Sequence, residues 1–144
     1  MANVVYNSFK AKIMDGSIDL DNDTIKVALV TSAYTPNADT HIFWDDVTGI
    51  TGAEATGTGY TAGGATLGGA SVSTDTGDNE GVFDASDVTW ASSSISANGA
   101  VIYKDTGTAS TSPLICYFDF GTTETSASGN FKIQWNGEGI LNLG

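Results

Sequence analysis

The first periodic stretch of the chain repeats its apolar residues every four positions, at Val5, Phe9 and Ile13, with Asn7, Lys10 and Lys12 on other faces. That spacing predicts an amphipathic helix over 5–14 within an N-terminal segment, 1–16. Asn3 is placed to cap its start, and Asp15-Gly16 supplies a glycine stop. So short a helix is marginal alone, and its stripe must dock on its own domain or on a neighbouring subunit.

After Gly16 the period falls to two. Ile25-Lys26-Val27-Ala28-Leu29-Val30 follows the turn cluster Asp21-Asn22-Asp23 and is rich in β-branched residues. Ala100-Val101-Ile102-Tyr103-Lys104 and Leu114-Ile115-Cys116-Tyr117-Phe118-Asp119-Phe120 read as two strands of a hairpin, its long connection punctuated by Gly107 and Pro113. In 131–135, Phe131, Ile133 and Trp135 point one way, Lys132 and Gln134 the other. An Asn136-Gly137 turn then precedes a closing strand over 139–143, and weaker strands are expected at 70–74, 81–84 and 87–90. The window 45–81 differs. It holds ten of the 18 glycines and few bulky residues, so it reads as a long Gly/Thr/Ala-rich excursion from the sheet rather than a second domain. The expected fold is all-β: one domain over 1–144, a β-sandwich or jelly-roll-like body with one short N-terminal helix.

Charge narrows the function. Seventeen acidic and five basic residues give a net −12, and every basic residue is a lysine. Without arginine, and with a surface that repels phosphate, nucleic-acid binding is excluded. No apolar run reaches the ~18 residues of a membrane helix, and the start lacks the charged and apolar regions of an export signal, so a soluble protein made in the cytoplasm is expected. One cysteine forbids an intrachain disulfide and suits a reducing compartment. Fourteen aromatic residues supply enough apolar area to exclude disorder.

Catalytic chemistry needs paired groups, and few are offered. His41 is the sole histidine; Asp39, Asp45 and Asp46 stand near it in sequence, but no nucleophile motif accompanies it. Cys116, inside an apolar strand, reads as a small buried hydrophobe. Asp19, Asp21 and Asp23 start like a calcium loop, but Thr24 and Val30 stand where glycine and glutamate belong. A looser site could use that cluster, or Asp75, Asp78 and Glu80; solvated turn carboxylates are the plainer reading. Zinc lacks ligands. Gly57-Thr58-Gly59-Tyr60-Thr61-Ala62-Gly63-Gly64 misses the dinucleotide spacing by one residue and leads into no helix, so it reads as backbone that bends sharply or approaches another chain closely. No carboxylate pair nominates itself for glycoside hydrolysis. No metal, cofactor or catalytic residue is therefore expected.

Contact surface remains. Tyr34, Phe43, Trp44 and Tyr60 lie in irregular, Gly/Thr-rich segments outside the alternating strands. Aromatic residues so placed are either partner-binding or covered by their own loops.

The order of segments carries a resemblance. Tyr6-Asn7-Ser8-Phe9-Lys10 leads through Met14-Asp15-Gly16-Ser17-Ile18-Asp19-Leu20 to Thr24-Ile25-Lys26-Val27-Ala28-Leu29-Val30-Thr31-Ser32-Ala33-Tyr34. The glycine-rich 57–64, Asp87-Val88-Thr89-Trp90, Val101-Ile102-Tyr103-Lys104 and Gly139-Ile140-Leu141 follow. Over nearly its whole length this layout resembles small virion structural proteins of tailed bacteriophages, of the capsid decoration (cement) type. The resemblance implies a β-rich homo-oligomer, often a trimer, on the outer face of an icosahedral shell, with the major capsid protein as partner. The alternatives are a tail or fibre component that binds a host receptor, and a small hydrolase carried on the particle.

Overall fold

The computed structural model describes residues 3–144. It is all-β in class, with two antiparallel sheets arranged as a sandwich-like single body. In chain order the elements are β1 (Val4–Val5), α1 (Asn7–Met14), β2 (Ile25–Val30), α2 (Asp45–Thr48), β3 (Gly57–Thr58), β4 (Ala65–Thr66), β5 (Ser71–Asp75), β6 (Glu80–Asp84), β7 (Val88–Lys104), β8 (Leu114–Thr125), β9 (Gly129–Ile133) and β10 (Leu141–Leu143). The main sheet runs β1-β8-β7-β2-β4, with β3 and β9 also paired to β7; β10-β6-β5 form the second sheet.

The helix begins two residues later than its apolar spacing predicts. Val4 and Val5 pair instead with Tyr117 and Cys116 of β8, where β-branched side chains fit a pleated surface better than a helix start. Tyr6, in extended conformation, precedes the first turn, and no side chain caps it. Asn3, the expected cap, accepts the Asp119 N–H through its side chain. Of the stripe, Phe9 is buried and Ile13 half-buried against the core.

The window 45–81 does not leave the sheets. It supplies α2 and three strands, β3 on β7, β4 on β2 and β5 on β6. Its glycines make that lacing possible: a Cβ on Gly57 would stand 2.1 Å from the Ser94 carbonyl oxygen, and one on Gly64 would stand 1.9 Å from that of Val27. The close approach expected toward another chain is made here to the chain's own strands.

β7 is the spine. Its C-terminal half pairs with β2 on one side and β8 on the other, while β9 continues along the β8 side from Ser93↔Gly129 to Val88↔Ile133. β8 and β9 are therefore two limbs of one long ribbon laid against β7. The ribbon is interrupted where Asn98 alone faces residues 120–123, between the pairs Gly99↔Asp119 and Ala97↔Glu124. Ser92 and Ser128, both at φ 50°, take the left-handed conformation beside a second register shift. The buried Ser93 hydroxyl ties the bend together, donating toward the carbonyls of Trp90 (2.9 Å) and Gly129 (3.0 Å) and meeting the Ser126 hydroxyl at 2.8 Å. Folded there, the limbs face each other: Phe118 meets Trp135 at 5.4 Å and Phe120 meets Phe131 at 6.3 Å between ring centroids.

Candidate functional site

The four irregular aromatic residues are dispersed, and most are inside. Trp44 is 6% exposed and lies flat on Tyr103, with centroids 4.5 Å apart and planes 3° from parallel. Tyr34 is 3% exposed, edge-on to Tyr117, with its hydroxyl 2.6 Å from that of Tyr6 and 3.0 Å from His41 Nδ1. The half-buried Tyr60 accepts the Leu29 N–H at its hydroxyl (3.1 Å) and donates to Glu54 Oε1 (2.8 Å). Phe43 is half-buried beneath the Lys12 ammonium, 5.4 Å from its ring centre. The loops fold over the main sheet, so these side chains cover it and form no common contact surface. An aromatic side chain without strand period is here a sign of a packed loop.

The reactive side chains are likewise committed to packing. Cys116 is fully buried, and that burial pushes its thiol pKa up, away from thiolate chemistry. His41 Nδ1 receives the Asn37 N–H (3.3 Å), which makes that nitrogen an acceptor; Tyr34 must then donate to it, and Tyr6 to Tyr34. Burial first of all pushes Tyr34 up to about 12, and raises Tyr6, Tyr60 and Tyr103 further. These phenols are neutral hydrogen-bond donors at any physiological pH.

Carboxylates mostly fix turns. Asp19 accepts the N–H groups of Asp21 and Asn22, its pKa lowered chiefly by the Asn22 amide, and Asp23 accepts the Asp19 N–H and pairs with Lys104 at 2.9 Å. Oxygens of Asp75, Asp78 and Glu80 lie within 4.8 Å of one another at the β5–β6 turn. Asp75 is occupied with the Gly77 and Asp78 N–H groups, and Glu80 takes the Asn142 amide.

The surface feature with shape and chemistry lies in the folded ribbon. Between its limbs runs an open trough of about 440 Å³ over Phe120, Phe131 and Lys132, joined to one of about 380 Å³ over Phe118, Trp135 and Asn136. Phe120, Ile133 and Gln134 line both. Strand alternation aims the rings inward, and the exposed residues Asn3, Asn130, Gln134 and Asn136 border the trough, Asn130 and Gln134 at positions that alternate with the rings. Sequence reasoning read 114–120 and 131–135 as separate core strands and missed that they face each other. The available signal was two aromatic alternations in successive segments.

Fold and site define an all-β, two-sheet domain with an aromatic- and amide-lined trough. Comparison with known proteins takes this no further: no protein-family model matches the chain, and no curated protein or solved structure is significantly similar to it.

Proposed function

We propose that this chain is a structural protein of a tailed-bacteriophage particle: a capsid decoration protein that binds across major capsid subunits as a homo-oligomer, with a trimer favoured. The observation that carries this reading is the outer edge of β5. Among the described residues no strand pairs with it, and Ser71–Thr74 are all exposed. Proteins that stay alone blunt such edges with lysine, proline or a bulge; β5 has none of these before Asp75. Val72, 52% exposed, stands on that edge in register with Phe83, whereas Leu143, 72% exposed, lies across β6 on β10, the other edge of this sheet. An exposed valine on an unpaired edge suits pairing with a sister copy or a shell subunit. An oligomer so attached gains avidity of ~10²–10⁴ over one contact. The acidic, arginine-free composition suits an outer face better than one turned toward DNA.

Quantitative gels of purified particles test the placement. A decoration protein approaches the copy number of the major capsid protein; a handful of copies per particle supports the tail or fibre reading, which the aromatic trough favours. Val72→Lys tests the edge. It is expected to weaken binding to undecorated capsids at least tenfold with the fold unchanged, and undiminished binding removes β5 from the contact.

A further inference from the structure

We infer that the trough inside the folded ribbon is a binding site for a neutral saccharide. Four of the chain's 14 aromatic side chains line it: Phe118, Phe120, Phe131 and Trp135. Four of its ten Asn and Gln residues border the same trough, Asn3, Asn130, Gln134 and Asn136, and all four are exposed; the Asn3 and Asn136 side-chain oxygens accept the Asp119 and Glu138 N–H groups, which leaves their amide N–H groups to a ligand. A sugar ring has just this duality. Its C–H face packs on aromatic carbon, while its hydroxyls need groups that both donate and accept, as planar amides do.

Details of the lining narrow the ligand. The Trp135 indole N–H is already donated to the Ser86 carbonyl (3.0 Å), so what this side chain offers a ligand is ring carbon. Phe118 and Phe120 are half-buried on β8; the exposed Asp119 between them alternates away from the rings, and its carboxylate accepts the Gly121 N–H (2.8 Å). Lys132 is the one cation on the trough, and its ammonium lies 3.6 Å from Asp87. With Asp119 and Glu124 on the lining, an anionic ligand meets net repulsion. A wholly apolar occupant would strip water from the amides without replacing their hydrogen bonds. The two joined compartments form a long trough, which suits an oligosaccharide over a single ring; the Ser93 bonds fix the bend, and Trp135, just beyond β9, is held through its backbone N–H to Asp87 and its indole N–H to Ser86. This goes beyond the particle role and holds for head or tail placement alike.

The test is affinity electrophoresis of the full chain through native gels containing dextran, galactomannan or mixed-linkage β-glucan, with anionic alginate as the contrast. Backbone NMR shifts are followed on adding oligosaccharides of the retarding polymer. Retardation by at least one neutral polysaccharide is expected, with shifts confined to residues 118–125 and 130–136. Gln134→Ala, at an exposed position, is expected to weaken it by about tenfold, and Phe120→Ala by more. Passage unretarded through all three neutral gels, retention that survives both substitutions, or retention by alginate alone overturns the inference. Capsid binding by the same variants reads out separately and stays at wild-type level, so failure here leaves the particle role standing.

Discussion

Trp44 illustrates what single bulky residues do in this chain. It sits outside every strand, yet its ring closes over Tyr103 of β7. Trp44→Ala is expected to cost about 3–5 kcal/mol in chemical denaturation, with any loss of partner binding following the loss of fold. The buried phenols carry a second prediction. Tyr34 is raised to about 12, and Tyr6, Tyr60 and Tyr103 are raised as well, each mainly by burial. The native state therefore holds these protons more tightly than the unfolded chain, where tyrosine ionises near ~10. Stability is intact below that pH and is lost as pH climbs through about 12. Alkaline unfolding is expected to coincide with the rise of tyrosinate absorbance; tyrosinate appearing in a still-folded protein would contradict the burial. At this scale the sequence was legible where chemistry was simple, as at Cys116. It was opaque where a loop supplied the cover, because nothing local to Trp44 or Tyr34 names its distant partners Tyr103 and Tyr117.

Among elements, legibility follows side-chain bulk. Residues 25–30, 114–120 and 131–135 alternate or cluster large apolar groups and read as strands, although the last strand spans Gly129–Ile133 and leaves Gln134 and Trp135 beyond it. β7 runs on through Ser93, Ala97 and Gly99, which are inward-facing but too small to mark a period. Gly99 has to be small, since a Cβ there would lie 2.6 Å from the Phe118 carbonyl and 2.7 Å from the Tyr117 ring. The two-residue strands β3 and β4 carry no periodic signal at all; their evidence is the glycine that lets each approach. Gly64 tests this. At φ +82° its Cβ would collide with the backbone of Val27 and Ala28, whereas Gly107, at φ +87°, faces open space. Gly107→Ala is expected to cost only the left-handed strain, ~1–2 kcal/mol. Gly64→Ala is expected to cost clearly more, or to detach β4 from β2, as read by denaturation and by hydrogen exchange at Lys26 and Val27. The trough was invisible for a related reason. It arises from a bend at Ser92 and Ser128, whose left-handed conformation no composition rule assigns to serine.

For the whole molecule, charge and edge act in opposite senses. Copies carrying −12 repel, while the unpaired β5 edge and its exposed Val72 attract. Raising ionic strength from about 0.01 M to about 0.15 M shortens the screening length from ~30 Å to ~8 Å. Self-association measured by sedimentation is expected to strengthen over that range; weakening would mean that ion pairs hold the copies together. One further consequence follows from β1. Val5 pairs with Cys116, well over a hundred residues away along the chain. On a translating ribosome Val4 and Val5 must therefore wait, sticky and unpaired, until β8 has emerged. Closure of so distant a contact is slow, on the order of milliseconds to seconds for β-rich topologies. A newly made copy thus passes through a vulnerable interval in which a neighbour's β8 is as available to that first strand as its own, and swapped dimers are the misassembly to look for in rapid overexpression.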